Sequence, residues 1–280
     1  MKRKALFLTF VLLAGMVLAK GKIEKFTIQS KVLGVEKQYN VYIPDGYDAS
    51  SSKKYPVLYL LHGLGGSCES WPSYGIRDIA DEMSKSGFSL PMFIVMPDAA
   101  GEGEKKSGWN VGYDNRKGWN YENFFIEELI PHVEKQFPIY ADKRHRAITG
   151  QSMGGHGAFL FGLFYPEYFS SVCTMGGRLH GKPDTERKIH YANSIAPNDF
   201  VDNLPKMEKS QIDKLKGTRW YLDCADGDSL LDGSYGVYMF LRKNDIMAEL
   251  RVRDGGHTKM YWKESIRGIL TFVSIGFALE

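Results

Sequence analysis

The chemistry-bearing stretch of this chain is Ile148-Thr149-Gly150-Gln151-Ser152-Met153-Gly154-Gly155-His156-Gly157-Ala158, which contains its only Gly-x-Ser-x-Gly. That spacing suits a sharp strand-to-helix turn that lifts a serine hydroxyl above a sheet. The positions two residues to either side must lack side chains if strand and helix are to pass closely. A serine hydroxyl is a poor nucleophile at neutral pH. It needs an imidazole to take its proton, and that imidazole needs a carboxylate to fix its tautomer and stabilise its charged form.

Candidates for both partners follow Ser152 in the chain. His257 ends Arg253-Asp254-Gly255-Gly256-His257, where two glycines let a loop turn back toward the serine. Among the other histidines, His132 falls within a helical stretch, His145 precedes a buried strand, and His180 and His190 lie in an irregular excursion. His156, two residues past the glycine-flanked turn, is placed to line the site or to cap its helix. For the acid, Asp226, Asp228 and Asp232 follow one strand-like run, and spacing alone does not separate Asp226 from Asp228. The order Ser, Asp, His is that of α/β-hydrolases.

A tetrahedral intermediate also needs donors aimed at its negative oxygen. The N–H of Met153, at the start of a helix, is one candidate, aided by the helix dipole. The second donor is expected from the glycine-rich turn His62-Gly63-Leu64-Gly65-Gly66, at the N–H of Leu64. The Lys-Ser/Thr ending of a phosphate loop is missing there. The seven histidines are dispersed, with no metal-ligand spacing, and no cofactor is expected. Trp109, Tyr113, Trp119 and Tyr121 cluster in and after the long glycine-rich segment 99–117. They fit either an aromatic wall for an acyl or sugar group, with Trp109 and Trp119 as substrate contacts, or anchors that tie a long loop to the core.

The elements that must position these residues alternate. Alternation predicts strands over Ile23–Ser30 and Lys37–Ile43, and continuous apolar runs predict buried strands over Tyr55–Leu61 and Met92–Met96. Further strands are expected at Arg146–Thr149, Phe169–Met175, Arg219–Asp223 and Met247–Val252. Helices are expected over Trp71–Ser86, Tyr121–Gln136, Gly154–Tyr165, Pro205–Leu215, Gly233–Lys243 and about Tyr261–Ala278. This pattern predicts an α/β fold: one mostly parallel, doubly wound sheet with an antiparallel N-terminal start and no large lid. In such a sheet Ser152, the acidic loop 223–232 and His257 all fall at the carboxyl edge, where α/β proteins build their sites.

Lys2, Arg3 and Lys4 precede an uncharged apolar run from Ala5 to Ala19, the pattern of a secretory leader. The run is too short to span a bilayer, and no cysteine follows it closely. The expected organisation is a leader over 1–19 and one domain over 20–280, exported to the periplasm or medium. Three of the 36 basic residues lie in the leader, so the remainder match the 33 acids. A neutral chain offers no electrostatic case for nucleic acid or anionic membrane as a partner. Cys68, Cys173 and Cys224 are too few for a disulfide framework, although one pair fits a bridge in an oxidising compartment.

Four segments together resemble the putative esterase (esterase D-like) family. They are Leu60–Gly66, Glu127-Glu128-Leu129-Ile130-Pro131-His132-Val133-Glu134, Arg146–Gly155, and Gly256-His257 with Trp262. That family includes S-formylglutathione hydrolases, tributyrin esterases, feruloyl and acetylxylan esterase domains, and mycolyltransferases. Members often carry Cys-Gly-x-x-Asp-x-Leu around the acid. The match here is Cys224-Ala225-Asp226-Gly227-Asp228-Ser229-Leu230, which favours Asp228 while Ala225 departs from the pattern. The resemblance implies an α/β-hydrolase that cleaves carboxylic esters, of short acyl groups or of acylated polysaccharide, through an acyl-enzyme on Ser152. An acyltransferase of the mycolyltransferase type, using the same three residues, is the alternative it implies.

Overall fold

The computed structural model describes residues 20–101, 112–116, 118–180 and 200–279. The expected leader and Trp109 lie outside the described residues, as does His190.

Eight strands form one sheet: β1 (Lys22–Gln29), β2 (Glu36–Ile43), β3 (Val57–Leu61), β4 (Phe93–Pro97), β7 (Arg146–Gly150), β8 (Ser171–Met175), β9 (Arg219–Ala225) and β10 (Ala248–Arg253). Their order across the sheet is β1-β2-β4-β3-β7-β8-β9-β10. The β1–β2 and β2–β4 pairs are antiparallel and every later pair is parallel, as the sequence pattern predicts. A separate two-stranded antiparallel pair, β5 (Asn115–Arg116) with β6 (Trp119–Asn120), precedes α3 (Tyr121–Asn123).

Helices cover both faces: α1 (Ser70–Tyr74), α2 (Ile76–Lys85), α3 (Tyr121–Asn123), α4 (Ile130–Gln136), α5 (Met153–Phe164), α6 (Phe200–Asn203), α7 (Lys209–Leu215), α8 (Leu231–Lys243) and α9 (Lys259–Ala278). Side-chain alternation along β3 explains the layering. Val57, Tyr59 and Leu61 pack into the core that includes Phe125, Phe159 and Leu241, whereas Leu58 and Leu60 face the core that includes Ile79, Ile266 and Ile269. All five residues of β3 are buried, which is why its sequence reads as an unbroken apolar run.

Three expected helices differ in detail. The stretch predicted over Trp71–Ser86 is two helices, because Gly75 takes φ 85° and closes α1 before α2 begins. Between α3 and α4 the helix widens into a π-helical turn over Phe124–Leu129. Pro131, which has no N–H to donate, lies just beyond it. The helix expected over Pro205–Leu215 is a 3₁₀ turn at Leu204–Lys206 followed by α7, with Met207 extended between them.

Candidate active site

β7 runs straight into Ser152, which has φ 54° and ψ −116°, one of two non-glycine residues with positive φ among the described residues. Such a conformation costs an L-residue on the order of 1–3 kcal/mol, so its surroundings must enforce it. They do so through backbone contacts. The Ser152 N–H donates to Met175 O at 2.9 Å, Gly154 N–H donates to Gln151 O at 2.7 Å, and His156 N–H returns to Ser152 O at 3.0 Å. A β-carbon on Gly154 would lie 2.6 Å from Leu61 O and 2.7 Å from His62 O, so only glycine lets α5 start this close to the end of β3.

Three residues far apart in sequence meet here. Asp228 Oδ2 lies 2.7 Å from His257 Nδ1, and His257 Nε2 lies 2.9 Å from Ser152 Oγ. A carboxylate can only accept, so Nδ1 carries the proton and the Nε2 lone pair faces the serine O–H. The other Asp228 oxygen accepts the Leu230 N–H at 3.0 Å. Asp228 is buried, Ser152 is partly exposed and His257 is exposed. Burial, then the adjacent Asp228 carboxylate, push the Cys224 thiol up to about 12, so it remains a protonated, inert neighbour.

The two aspartates that spacing left undivided have different places. Asp226 Oδ1 accepts the Gly255 N–H at 3.0 Å, and the N–H groups of Asp226 and Gly227 donate to Arg253 O and Gly255 O. Asp226 thus holds the backbone of the His257 loop, while Asp228 holds its ring. Asp232 opens α8 instead. Both ends of the loop are also tied to Asp223 of β9: Arg253 lies 2.9 Å from it, and Tyr261 O–H donates to it at 2.6 Å. Sequence reasoning missed Gly176. With φ 53° it sits at the end of β8, where a β-carbon would fall 2.8 Å from Asp228 Oδ2. Its only signal was the Gly-Gly pair that closes a strand-like run.

A cleft of about 440 Å³ opens at Ser152, lined by the Gly63–Gly66 turn, Ser70, Ser73, Tyr74, Gln151, His257 and Trp262. The Trp262 ring meets the His257 ring edge to face at 5.0 Å. Among the described residues, neither Leu64 N–H nor Met153 N–H donates to another protein group, and both residues border the serine. Ser70, Ser73 and Tyr74 carried no chemical motif in the sequence; the fold brings them to the serine by packing α1 against the glycine-rich turn.

Two expected substrate contacts lie elsewhere. Trp119 is buried beside Lys37, whose Nζ is 5.6 Å from the ring centre, and is not among the residues lining the cleft. Tyr113 and Tyr121 are buried too, and their hydroxyls donate to His62 O and Asp98 O. These three aromatics therefore anchor the described segments around 113–121 to the core. His156 is buried as well, with Nδ1 2.8 Å from Arg178 O and its ring against Phe200, so it ties α5 to the segment after β8 rather than lining the cleft. Burial holds its imidazole below the ordinary range despite that hydrogen bond. All three cysteines are free and buried, so no pair is bridged. Among the described residues no cluster of three or more His, Cys, Asp or Glu could hold a metal ion, and no helix is long and apolar enough to cross a membrane.

The sequence profile of the putative esterase family matches residues 30–273. The chain belongs to that family. It is similar to an esterase of Mycobacterium tuberculosis, with 34% identity over 176 residues, 60% of this chain and 35% of the relative. An endo-1,4-beta-xylanase/feruloyl esterase of Xylanibacter ruminicola is 37% identical over 153 residues, 53% of this chain and 20% of that one. The chain thus spans about a third or less of the length of these curated relatives. An acetyl esterase of Caldicellulosiruptor saccharolyticus matches across 90% of this chain and 94% of its own, at 25% identity. Among solved structures, a ferulic acid esterase is 35% identical with a TM-score of 0.83, covering 92% of this chain and 99% of that one. The S-formylglutathione hydrolase of Agrobacterium tumefaciens, at 21% identity and a TM-score of 0.75, shares the fold over 92% of this chain and 96% of its own. The sheet order, the crossover helices and these neighbours make the fold that of an α/β-hydrolase.

Proposed function

We propose that this protein is a serine carboxylesterase acting through an acyl-enzyme on Ser152. The observation that carries this reading is the unbroken relay from Ser152 Oγ through His257 to Asp228, with contacts of 2.9 and 2.7 Å. In the proposed reaction His257 Nε2 takes the serine proton as Oγ attacks the ester carbonyl. The oxygen that turns negative sits between the N–H groups of Leu64 and Met153, where fixed dipoles replace water at no reorganisation cost. Collapse expels the alcohol, protonated by His257, and a water then repeats the sequence in reverse roles to free the acid.

The substrate class we infer is an ester of a short acyl group or an acylated polysaccharide of the feruloyl type. Its support is the likeness to a ferulic acid esterase over nearly the whole chain and an open cleft bordered by two aromatic rings and two serine hydroxyls. The leader pattern of residues 1–19 supports export to the periplasm or medium. The purified protein should hydrolyse p-nitrophenyl acetate and methyl ferulate, and Ser152→Ala should abolish both activities while the thermal melt is retained. Unchanged turnover in S152A would overturn the reading.

A further inference from the structure

His62 lies directly behind the glycine-rich turn, is 2% exposed, and is not among the residues lining the cleft. Its two ring nitrogens have opposite tasks. The Ala99 N–H donates to Nε2 at 3.0 Å, so that nitrogen carries no proton. Nδ1 lies 2.8 Å from Gly63 O, an acceptor, so the proton is there. Asp98 Oδ1 is 3.8 Å from Nε2, beyond hydrogen-bond reach, and accepts the Ala100 N–H at 2.7 Å.

The significance lies in the peptide unit that Gly63 O belongs to. A trans peptide is planar, with its C=O and N–H antiparallel, so a bond that fixes the Gly63 carbonyl also fixes the direction of the Leu64 N–H. Two donors fix that carbonyl: His62 Nδ1–H, and the Gly66 N–H at 3.1 Å. Donation to the carbonyl also polarises the amide and strengthens its N–H as a donor. The other side of the ring is equally constrained. Buried Lys37 donates to Ala100 O at 2.7 Å, Tyr121 O–H donates to Asp98 O at 3.0 Å, and Tyr113 O–H donates to His62 O at 3.0 Å. The first two bonds hold segment 98–100, and with it the Ala99 N–H that selects the tautomer, and the third holds the backbone of His62 itself.

We propose that His62 is a positioning residue for the oxyanion site, aiming the Leu64 N–H through the shared Gly63–Leu64 peptide and coupling it to segment 98–100 after β4. The proposal rests on the reading of Leu64 as an oxyanion donor. Because an oxyanion contact exists only in the transition state, loosening it lowers kcat and leaves KM nearly unchanged. Three substitutions separate the roles of the ring. H62N keeps an N–H near the Nδ1 position, H62Q moves its amide toward the Nε2 end, and H62L removes both.

Against p-nitrophenyl acetate, H62Q and H62L should lose on the order of 10- to 100-fold in kcat, less than the full loss of a direct oxyanion donor. H62N should recover most of this, and KM should stay within about threefold throughout. Inhibition by a boronic acid, which forms the tetrahedral adduct, should weaken in parallel with kcat, while inhibition by the product acid should not. In the wild type, nitrogen-15 spectra of the imidazoles should give His62 as the Nδ1–H tautomer, a measurement that needs no variant to fold. The proposal is overturned if Nε2 carries the proton, if H62L keeps kcat within twofold, or if H62N is no better than H62L. Activity in S152A would instead overturn the nucleophile assignment, and is read separately from these ratios.

Discussion

Replacing Asp228 with asparagine keeps the size of the side chain and removes one acceptor, and the structure says which acceptor will be missed. Both carboxylate oxygens of Asp228 accept from N–H donors, His257 Nδ1–H on Oδ2 and the Leu230 N–H on Oδ1. An asparagine has one acceptor oxygen, so one of those N–H groups must face an amide NH₂. If Leu230 faces it, a buried backbone donor is left unsatisfied, at about 1–3 kcal/mol. If His257 faces it, the ring can shift its proton to Nε2 and accept from the amide at Nδ1, which costs little because Nε2–H then donates to Ser152 Oγ. The second arrangement wins, and it leaves no lone pair to take the serine proton. A triad locked in that tautomer loses roughly 10⁴ in kcat, so D228N should fall by about 10³ to 10⁴ with an unchanged melting temperature. Asp226→Asn is the matched control. Its Oδ1 can still accept from the Gly255 N–H, so kcat should stay within about threefold. The assay is p-nitrophenyl acetate turnover, with thermal melts run alongside. D228N within tenfold of wild type, or D226N as the more damaged of the pair, would refute both the tautomer argument and the assignment of the acid.

Two further outcomes follow from packing and from burial. Gly154→Ala should destabilise by about 1–3 kcal/mol, roughly 2–10 °C in Tm, and lose activity, because its β-carbon would meet two backbone oxygens that cannot swing aside. Gly34→Ala, in open space at φ 71°, should cost only about 1 kcal/mol of conformational strain and keep full activity; equal damage at both sites would remove the close-approach argument. His156 has an imidazole held below its ordinary range of 6.5 by burial, with Asp114, Arg116 and Arg178 as the nearby charges. The folded state keeps this ring neutral while the unfolded chain binds a proton below about pH 6.5, so its contribution to stability is lost as pH falls through that point. Urea unfolding at pH 7.5, 6.0 and 5.0 should therefore show a smaller decline for H156Q than for wild type, and identical slopes would contradict this.

The parts of this molecule that could be read from sequence are those set by local physics. β3 and β4 are buried on both faces and so are apolar at every position. Ser152 and His257 stand out because each follows a strand and is flanked by glycines that a turn at a sheet edge requires. Distinctions that depend on distant partners could not be read from spacing; for the acid it was the family resemblance that favoured Asp228, the carboxylate that meets His257. Asp226 and Asp228 follow the same strand, and only the path of the His257 loop, 29 residues later, decides which carboxylate meets the ring. Trp119 is ambiguous for a different reason, since an aromatic that anchors a loop and one that holds a substrate share the same preference for apolar contact. Gly75 breaks a helix that its neighbours favour, and a single glycine inside a helical pattern is too common to predict that.

The position of the site is carried less by side chains than by the way the parallel ladder continues past the ends of its strands. Beyond β7, the Ser152 N–H donates to Met175 O at the end of β8; beyond β8, the Gly176 N–H donates to Asp223 O in β9; beyond β9, the Asp226 N–H donates to Arg253 O at the end of β10. Each of these bonds crosses to the next strand, in sheet order, and together they fix the backbone at or beside Ser152, Asp228 and His257. Backbone bonds of this kind do not depend on which apolar side chains fill the strands below. The core can therefore be repacked without moving the three residues, so long as the strands keep their register. Register is in turn enforced by burial on both faces, because a one-residue slip would exchange the two cores that β3 separates. What the ladder leaves unset is the direction of the proposed oxyanion donor, Leu64 N–H, in the Gly63–Gly66 turn, which lies beyond β3 and contributes no bond to this series. In the proposed mechanism that direction falls to the buried His62 behind the turn, whose ring makes two hydrogen bonds, to Gly63 O and from the Ala99 N–H.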